Sequence, residues 1–171
     1  MAHSGYAATS MDDIAAEAGV TKLILYRHFA SKAELYHCAL ERAQALQMSA
    51  LAAEDGNSGE FGTTWLRSFL DVARADPAGF ELLWRHSARE PDFARYAAEV
   101  RGQAVDALLR AMPRVPEEFR EWAAHAVIGY VLEAVLIWLE FGDAGRDRQF
   151  LFASSEALRA GVRAWSSGVP G

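Results

Sequence analysis

Ser10-Met11-Asp12-Asp13-Ile14-Ala15-Ala16-Glu17-Ala18-Gly19-Val20-Thr21-Lys22-Leu23-Ile24-Leu25-Tyr26-Arg27-His28-Phe29-Ala30-Ser31-Lys32-Ala33-Glu34-Leu35-Tyr36 reads as a helix, a turn, a second helix and the start of a third. Ser10 is a helix N-cap, Asp13 stands at the reciprocal position of a capping box, and Ile14, Ala15 and Ala18 form the stripe to be buried. Gly19 ends that helix, and a turn through Gly19 and Val20 leads to Thr21, a second N-cap. In the helix that follows, Leu25 and Phe29 are four apart and share one face. On a wheel of about 100° per residue, Leu23 and Arg27 point furthest from that face. They are flanked by Lys22 and Tyr26 on one side and by Ile24 and His28 on the other. A helix capped in this way, with its apolar pair turned inward, offers the opposite face to the major groove of DNA.

The charges agree. The chain has two lysines, Lys22 and Lys32, and both lie between Glu17 and Glu34, a window free of acidic residues that also holds Arg27 and His28. Ser31 and Glu34 have the spacing of another capping box, which puts Lys32 in the first turn of the third helix. The helix dipole opposes a lysine there, whereas the free N–H groups of a first turn attract phosphate, so a phosphate partner gives Lys32 a reason.

At these residues the chain resembles the TetR family of bacterial transcription regulators. The resemblance rests on Gly5-Tyr6-Ala7-Ala8-Thr9-Ser10, Asp13-Ile14-Ala15, Ala18-Gly19-Val20-Thr21-Lys22, Leu25-Tyr26-Arg27-His28-Phe29 and Ser31-Lys32-Ala33-Glu34-Leu35. It implies an all-α fold, with a helix-turn-helix DNA-binding head over residues 1–42 and a helical ligand-binding and dimerisation domain over 43–171. It implies that Thr9, Tyr26, His28 and Lys32 contact phosphates, while Thr21, Lys22 and the outward residues Leu23, Ile24 and Arg27 approach bases. It further implies a homodimer on a palindromic operator, most simply a repressor, released by a small-molecule effector.

Two departures stand out. Where many members have a small residue and a hydroxyl after the lysine, this chain has Leu23 and Ile24, which suit thymine methyl groups and cannot pair with base edges by hydrogen bonds. Members also usually carry an amphipathic helix ahead of the Gly-Tyr turn, and only Met1 to Ser4 precede Gly5. Without that cover over Ile14, Leu25, Phe29 and Leu35 the head forfeits several kcal/mol, at roughly 1.5–3 kcal/mol per large apolar group. The expectation is a natural protein that starts further upstream, or else a head that holds DNA weakly. The alternative reading is a dimeric small-molecule-binding or protein-interaction module that no longer binds DNA.

With 171 residues, 51% of them hydrophobic, the chain is long enough for a small head and one larger helical domain. Its net charge is −6, and residues 1–42 carry four Lys/Arg against five Asp/Glu, so most of the acidic excess lies beyond the head. DNA affinity then depends on local fields and is sensitive to salt. Cys38, the single cysteine, forbids an internal disulfide and reads as a small packed residue. The longest apolar run, Ala134 to Leu139, is too short to span a bilayer and no signal-like run opens the chain, so a cytoplasmic protein without membrane contact is expected.

An enzyme is disfavoured. His3, His28, His37, His86 and His125 include no pair at metal-binding spacing, and no glycine loop or nucleophile elbow occurs, so no metal or cofactor is expected. His86 and Glu90, four apart, read as a hydrogen-bonded pair on one helix face.

Beyond the head, helices are expected from about Lys32 to the Glu54–Gly59 linker, then near 61–75, 78–88, 92–112, 117–141 and 147–166, with a loose tail from Ser166 to Gly171. The breaks fall at Asp76-Pro77, Glu90-Pro91, Pro113 to Pro116 and Gly142 to Gly145. Residues 117–141 are apolar around most of the circumference, and with 147–166 they are the expected dimer contact. The ligand pocket is sought among the aromatics Trp65, Phe69, Trp84, Tyr96, Trp122 and Tyr130, with His125 as an orienting polar group. The resemblance implies that an effector, here a small hydrophobic or aromatic one, seats there, tilts the fourth helix and respaces the two heads.

Overall fold

A computed structural model describes residues 5–53 and 63–167, and these are helical with no strand among them. Helices α1 (Gly5–Ala8), α2 (Met11–Glu17) and α3 (Lys22–His28) form the head, and α4 (Lys32–Ala53) leaves it. The body comprises α5 (Thr63–Ala75), α6 (Pro77–Glu81), α7 (Ala94–Ala111), α8 (Glu117–Phe141) and α9 (Asp147–Ser166). The expected Glu54–Gly59 linker, Met1 to Ser4 and the last four residues of the tail lie outside the described residues.

Local chemistry builds the head. The Ser10 Oγ accepts from Asp13 N at 3.1 Å while Ser10 N donates to Asp13 Oδ2 at 2.8 Å, closing the capping box at the start of α2. Thr21 Oγ1 accepts from Ile24 N and caps α3. Gly19 makes the reversal between them with φ +66°, in the left-handed region. Met11, Ala15 and Leu25 are the buried centre, with Ile14, Val20, Phe29 and Leu35 half-buried around it. Ala18 is exposed rather than buried, as the C-cap just past the end of α2, and Met11 takes the inner place. Glu34 accepts from Ala30 N at 2.6 Å instead of from Ser31, so the third cap is reciprocal with a neighbour one residue upstream.

The buried stripe of α4, Tyr36, Leu40 and Ala43, packs on Leu82, Leu83, Phe93 and Val100 of the body. Cys38 is exposed, on the side of α4 that borders a groove with Ala39, Arg42, Gly79 and Leu82, and is not the packed residue expected. The helix expected over 78–88 is divided: α6 ends at Glu81, Leu82–His86 widens into a π turn, and Ser87–Arg89 tightens into a 3₁₀ turn. Ser87 Oγ donates to Leu83 O at 2.6 Å within that stretch, taking up a carbonyl that regular α geometry would have bonded to a backbone N–H.

At the centre of the body lies α8, with Ala123, Ala124, Val127, Ile128, Val131, Leu132, Val135 and Leu136 buried against α5, α7 and α9. Its length and composition alone would suit a bilayer, which the short Ala134–Leu139 run does not convey; here it is the axis of a helical bundle. Asp147 pins the neighbouring elements. It accepts from Arg74 Nε and Nη2 at 3.1 and 2.8 Å and from Trp138 Nε1 at 2.6 Å, while the Trp138 ring stacks on Phe150 at 4.8 Å.

Candidate nucleic-acid interface

The outward face of α3 is laid bare by the packing of Leu25 and Phe29. Leu23 is 72% exposed, a large apolar side chain on a seven-residue helix that gains nothing from the fold by being there. Ile24, Tyr26, Arg27 and His28 are exposed beside it, and Thr21 is exposed at the helix start. Lys22 Nζ lies 2.7 Å from Asp12 Oδ2 of α2 and 6.0 Å from the centre of the Tyr26 ring. The hydrogen bond and the charge of Asp12 raise the Lys22 pKa, so its ammonium is fixed in the charged form. The surface thus joins two aliphatic side chains, a phenol and cationic groups, the mixture that meets thymine methyls and a phosphate backbone.

Two residues assigned to phosphates turn inward. Thr9 is only 7% exposed and belongs to the interior of the head, so its side chain does not lie on that surface. Lys32 donates from Nζ to Tyr6 O at 2.8 Å and to Thr9 O at 2.9 Å, with its ammonium 4.2 Å from the centre of the Tyr6 ring. It satisfies carbonyls at the end of α1, which have no helical partner of their own.

The seven residues considered for an effector pocket occupy three separate places. Trp65, Phe69 and Trp84 pack together in the main core, with Phe69 5.9 Å from Trp84 and 6.3 Å from Trp65. Tyr96 packs beside α4, its hydroxyl donating to Gln44 and its ring 5.1 Å from His37. Trp122, His125 and Tyr130 are exposed on α8, where Trp122 meets Trp165 edge-on at 5.0 Å beside a surface cleft of about 430 Å³. Aromatic content reports burial and says little about which rings will share a wall. Among the described residues no group of three or more His, Cys, Asp or Glu side chains is placed to hold a metal ion.

Residues that sequence reasoning passed over join the head to the body. Glu90, assigned to His86, instead accepts from Tyr6 N at 3.1 Å across 84 positions of sequence. Tyr6, Tyr36 and Phe93 form an aromatic trio, with ring centres 4.9, 5.1 and 4.3 Å apart. Tyr36 is fully buried, and burial first, then the nearby Glu90 and Tyr6, pushes its pKa up to about 12, so it remains a neutral phenol. The only trace of this junction in the sequence is that Tyr36 and Leu40 lie on one α4 stripe.

Residues 1–38, which include the whole of this surface, match the family of bacterial regulatory proteins called the tetR family. The chain is also 32% identical over 115 residues to the HTH-type transcriptional activator FasR of Mycolicibacterium smegmatis. That likeness covers 64% of this chain and 52% of the relative, so the chain spans about half the length of that protein. The capped helix-turn-helix and the exposed outer face of α3 agree with both matches, and residues 1–38 are similar to the tetR family of bacterial regulatory proteins.

Proposed function

We propose that the protein is a DNA-binding transcription regulator, not an enzyme, that acts in the cytoplasm as a homodimer on a palindromic operator and is released by a small hydrophobic or aromatic effector. The observation that carries this reading is the outward face of α3, where Leu23 and Ile24 are exposed beside Lys22, Arg27 and His28 with no internal packing role. Thr21, Lys22, Leu23, Ile24 and Arg27 face bases, and Tyr26 and His28 hold phosphates. The aliphatic pair reads a thymine-bearing step by contact with its methyl groups.

A twofold axis is supported by α8. Phe119, Trp122, Tyr130, Ile137 and Phe141 are exposed within an arc of about 100° on its outer side, and Phe152 is exposed on α9. A second copy of the same stripe covers it and places two heads on one side of the duplex. An effector that binds one arrangement of the body better than the other shifts the spacing of those heads by its difference in affinity. Occupancy of an operator that overlaps a promoter represses. The relative's designation as an activator favours a second reading, in which the bound dimer recruits rather than blocks.

Selection of duplexes from a random pool by this chain, then titration of the winner at two salt concentrations, tests the proposal. A palindromic winner with a steep salt slope upholds it. A folded, dimeric sample that enriches no sequence refutes it. A promoter-reporter measurement with the selected operator separates repression from activation.

A further inference from the structure

α1 has four residues and no core of its own, yet each end of it is bound to a different part of the molecule. At its C-terminal end, Lys32 of α4 donates to the carbonyls of Tyr6 and Thr9 and lies against the Tyr6 ring. On the other side, the Tyr6 amide donates to Glu90 of the body, and the Tyr6 ring meets Phe93 edge-on at 5.1 Å. Glu90 and Phe93 directly follow the π and 3₁₀ turns of residues 82–89, whose Leu82 and Leu83 pack on α4 and whose Trp84 packs into the main core against Phe69 and Phe80. The segment 82–93 therefore touches the body core at one end and α1 at the other.

We infer that α1 is a tie between head and body, with Lys32 and Glu90 as positioning residues, and that the orientation of α3 is set by the position of residues 82–93. The mechanical ground is simple. α4 runs from the head into the body, and a head held by one helix alone is free to rotate about that helix. A second attachment off the helix axis removes that freedom. Lys32 serves this purpose with two of its three ammonium N–H groups given to the α1 carbonyls, which assigns it to positioning rather than to phosphate. A rearrangement of the body that moves Glu90 and Phe93 is delivered to α2 and α3 through α1, independently of any tilt of α4. Part of this inference rests on the DNA-binding reading, but the tie itself does not.

Amide hydrogen exchange on the DNA-free full chain tests the tie. Glu90→Ala and Lys32→Ala are each expected to raise exchange severalfold at the amides that close α2 and α3, those of Ala18 and Phe29, which donate to Ile14 O and Leu25 O. The amides of α8 should keep their wild-type rates, which establishes that the body is folded. Glu90→Gln retains the acceptor oxygen and should exchange as the wild type does. Faster exchange confined to residues 5–9 in both alanine variants, with α2 and α3 unaffected, would overturn the tie. In a parallel DNA titration, Lys32→Ala should weaken binding with its salt slope unchanged. A slope smaller by about 0.9, the signature of one lost phosphate contact, would overturn the role given to Lys32. If the wild type binds no duplex, the function proposed above fails, and the exchange measurement still decides the tie.

Discussion

Gly19→Ala isolates the backbone requirement at the turn between α2 and α3. Gly19 has φ +66°, and a Cβ built on it meets no atom within 4 Å, so steric contact with neighbours contributes nothing. What remains is the intrinsic cost of the left-handed region for an L-residue, about 1–2 kcal/mol. Ala also reduces the freedom of the unfolded chain, which offsets roughly 0.4–1 kcal/mol, leaving a net loss of about 1 kcal/mol. The buried centre of the head is small, Met11, Ala15 and Leu25, so the loss should appear there as local opening and leave the large core around α8 untouched. Exchange of the α2 and α3 amides should rise about fivefold, with the global unfolding midpoint in urea nearly constant. Gly19→Asn, whose side chain tolerates this conformation, should fall between glycine and alanine. Equal behaviour of the Ala and Asn variants, or a loss that lowers the whole-protein midpoint as much as it opens the head, would refute the reasoning.

Asp147 should make the body sensitive to acid. The Arg74 hydrogen bonds first, and the Trp138 indole with them, hold its carboxyl below the usual carboxylate range against a smaller opposing effect of burial. A depressed folded-state pKa means stability that is present above the unfolded-state value and lost as pH falls through the folded one. Asp147→Asn should accordingly cost about 1–2 kcal/mol near neutral pH and flatten the acid limb of a melting-temperature profile, and an unchanged limb would exclude the carboxylate as its source. Leu23→Ala and Ile24→Ala should change base preference at a thymine-bearing position while changing stability by no more than about 0.5 kcal/mol, since both side chains are exposed. Identical selected sequences would remove them from base readout. Ile137→Glu adds a carboxylate to the exposed stripe of α8 between Glu133 and Glu140, and sedimentation velocity should show a monomer; an unchanged dimer would place the contact elsewhere.

What was legible in the sequence is what local chemistry decides. Ser10, Gly19 and Thr21 act on the few residues beside them, so their caps and turn can be read without knowledge of the rest. The long helices α4, α8 and α9 were legible within a residue or so at the ends visible in the structure, because Pro and Gly interrupt the chain between them. The division of 78–88 was not, since a π turn requires a carbonyl to find another donor, here the Ser87 hydroxyl, and many helical serines do the same without widening the helix. The Glu90 to Tyr6 bond was out of reach for another reason: the two are 84 positions apart, and the chain between them must fold before they meet. Lys32 shows the limit of reading charge by position. A lysine in a first turn invites an anion, and the carbonyls of α1 attract its ammonium as well.

The Lys22–Asp12 pair has a consequence for how a recognition surface chooses among sequences. A lone lysine is drawn to every phosphate on every duplex and raises affinity for all of them alike. Lys22 already has a carboxylate partner at 2.7 Å, so an arbitrary duplex offers it an exchange of one anion for another with little net gain. Only a site that aligns the whole face of α3, aliphatic contacts included, makes the exchange favourable. Because a genome presents vast numbers of wrong sites for each right one, restraint toward the wrong ones counts as much as attraction to the right one. On the role proposed for α3, Asp12 thereby becomes a determinant of selectivity.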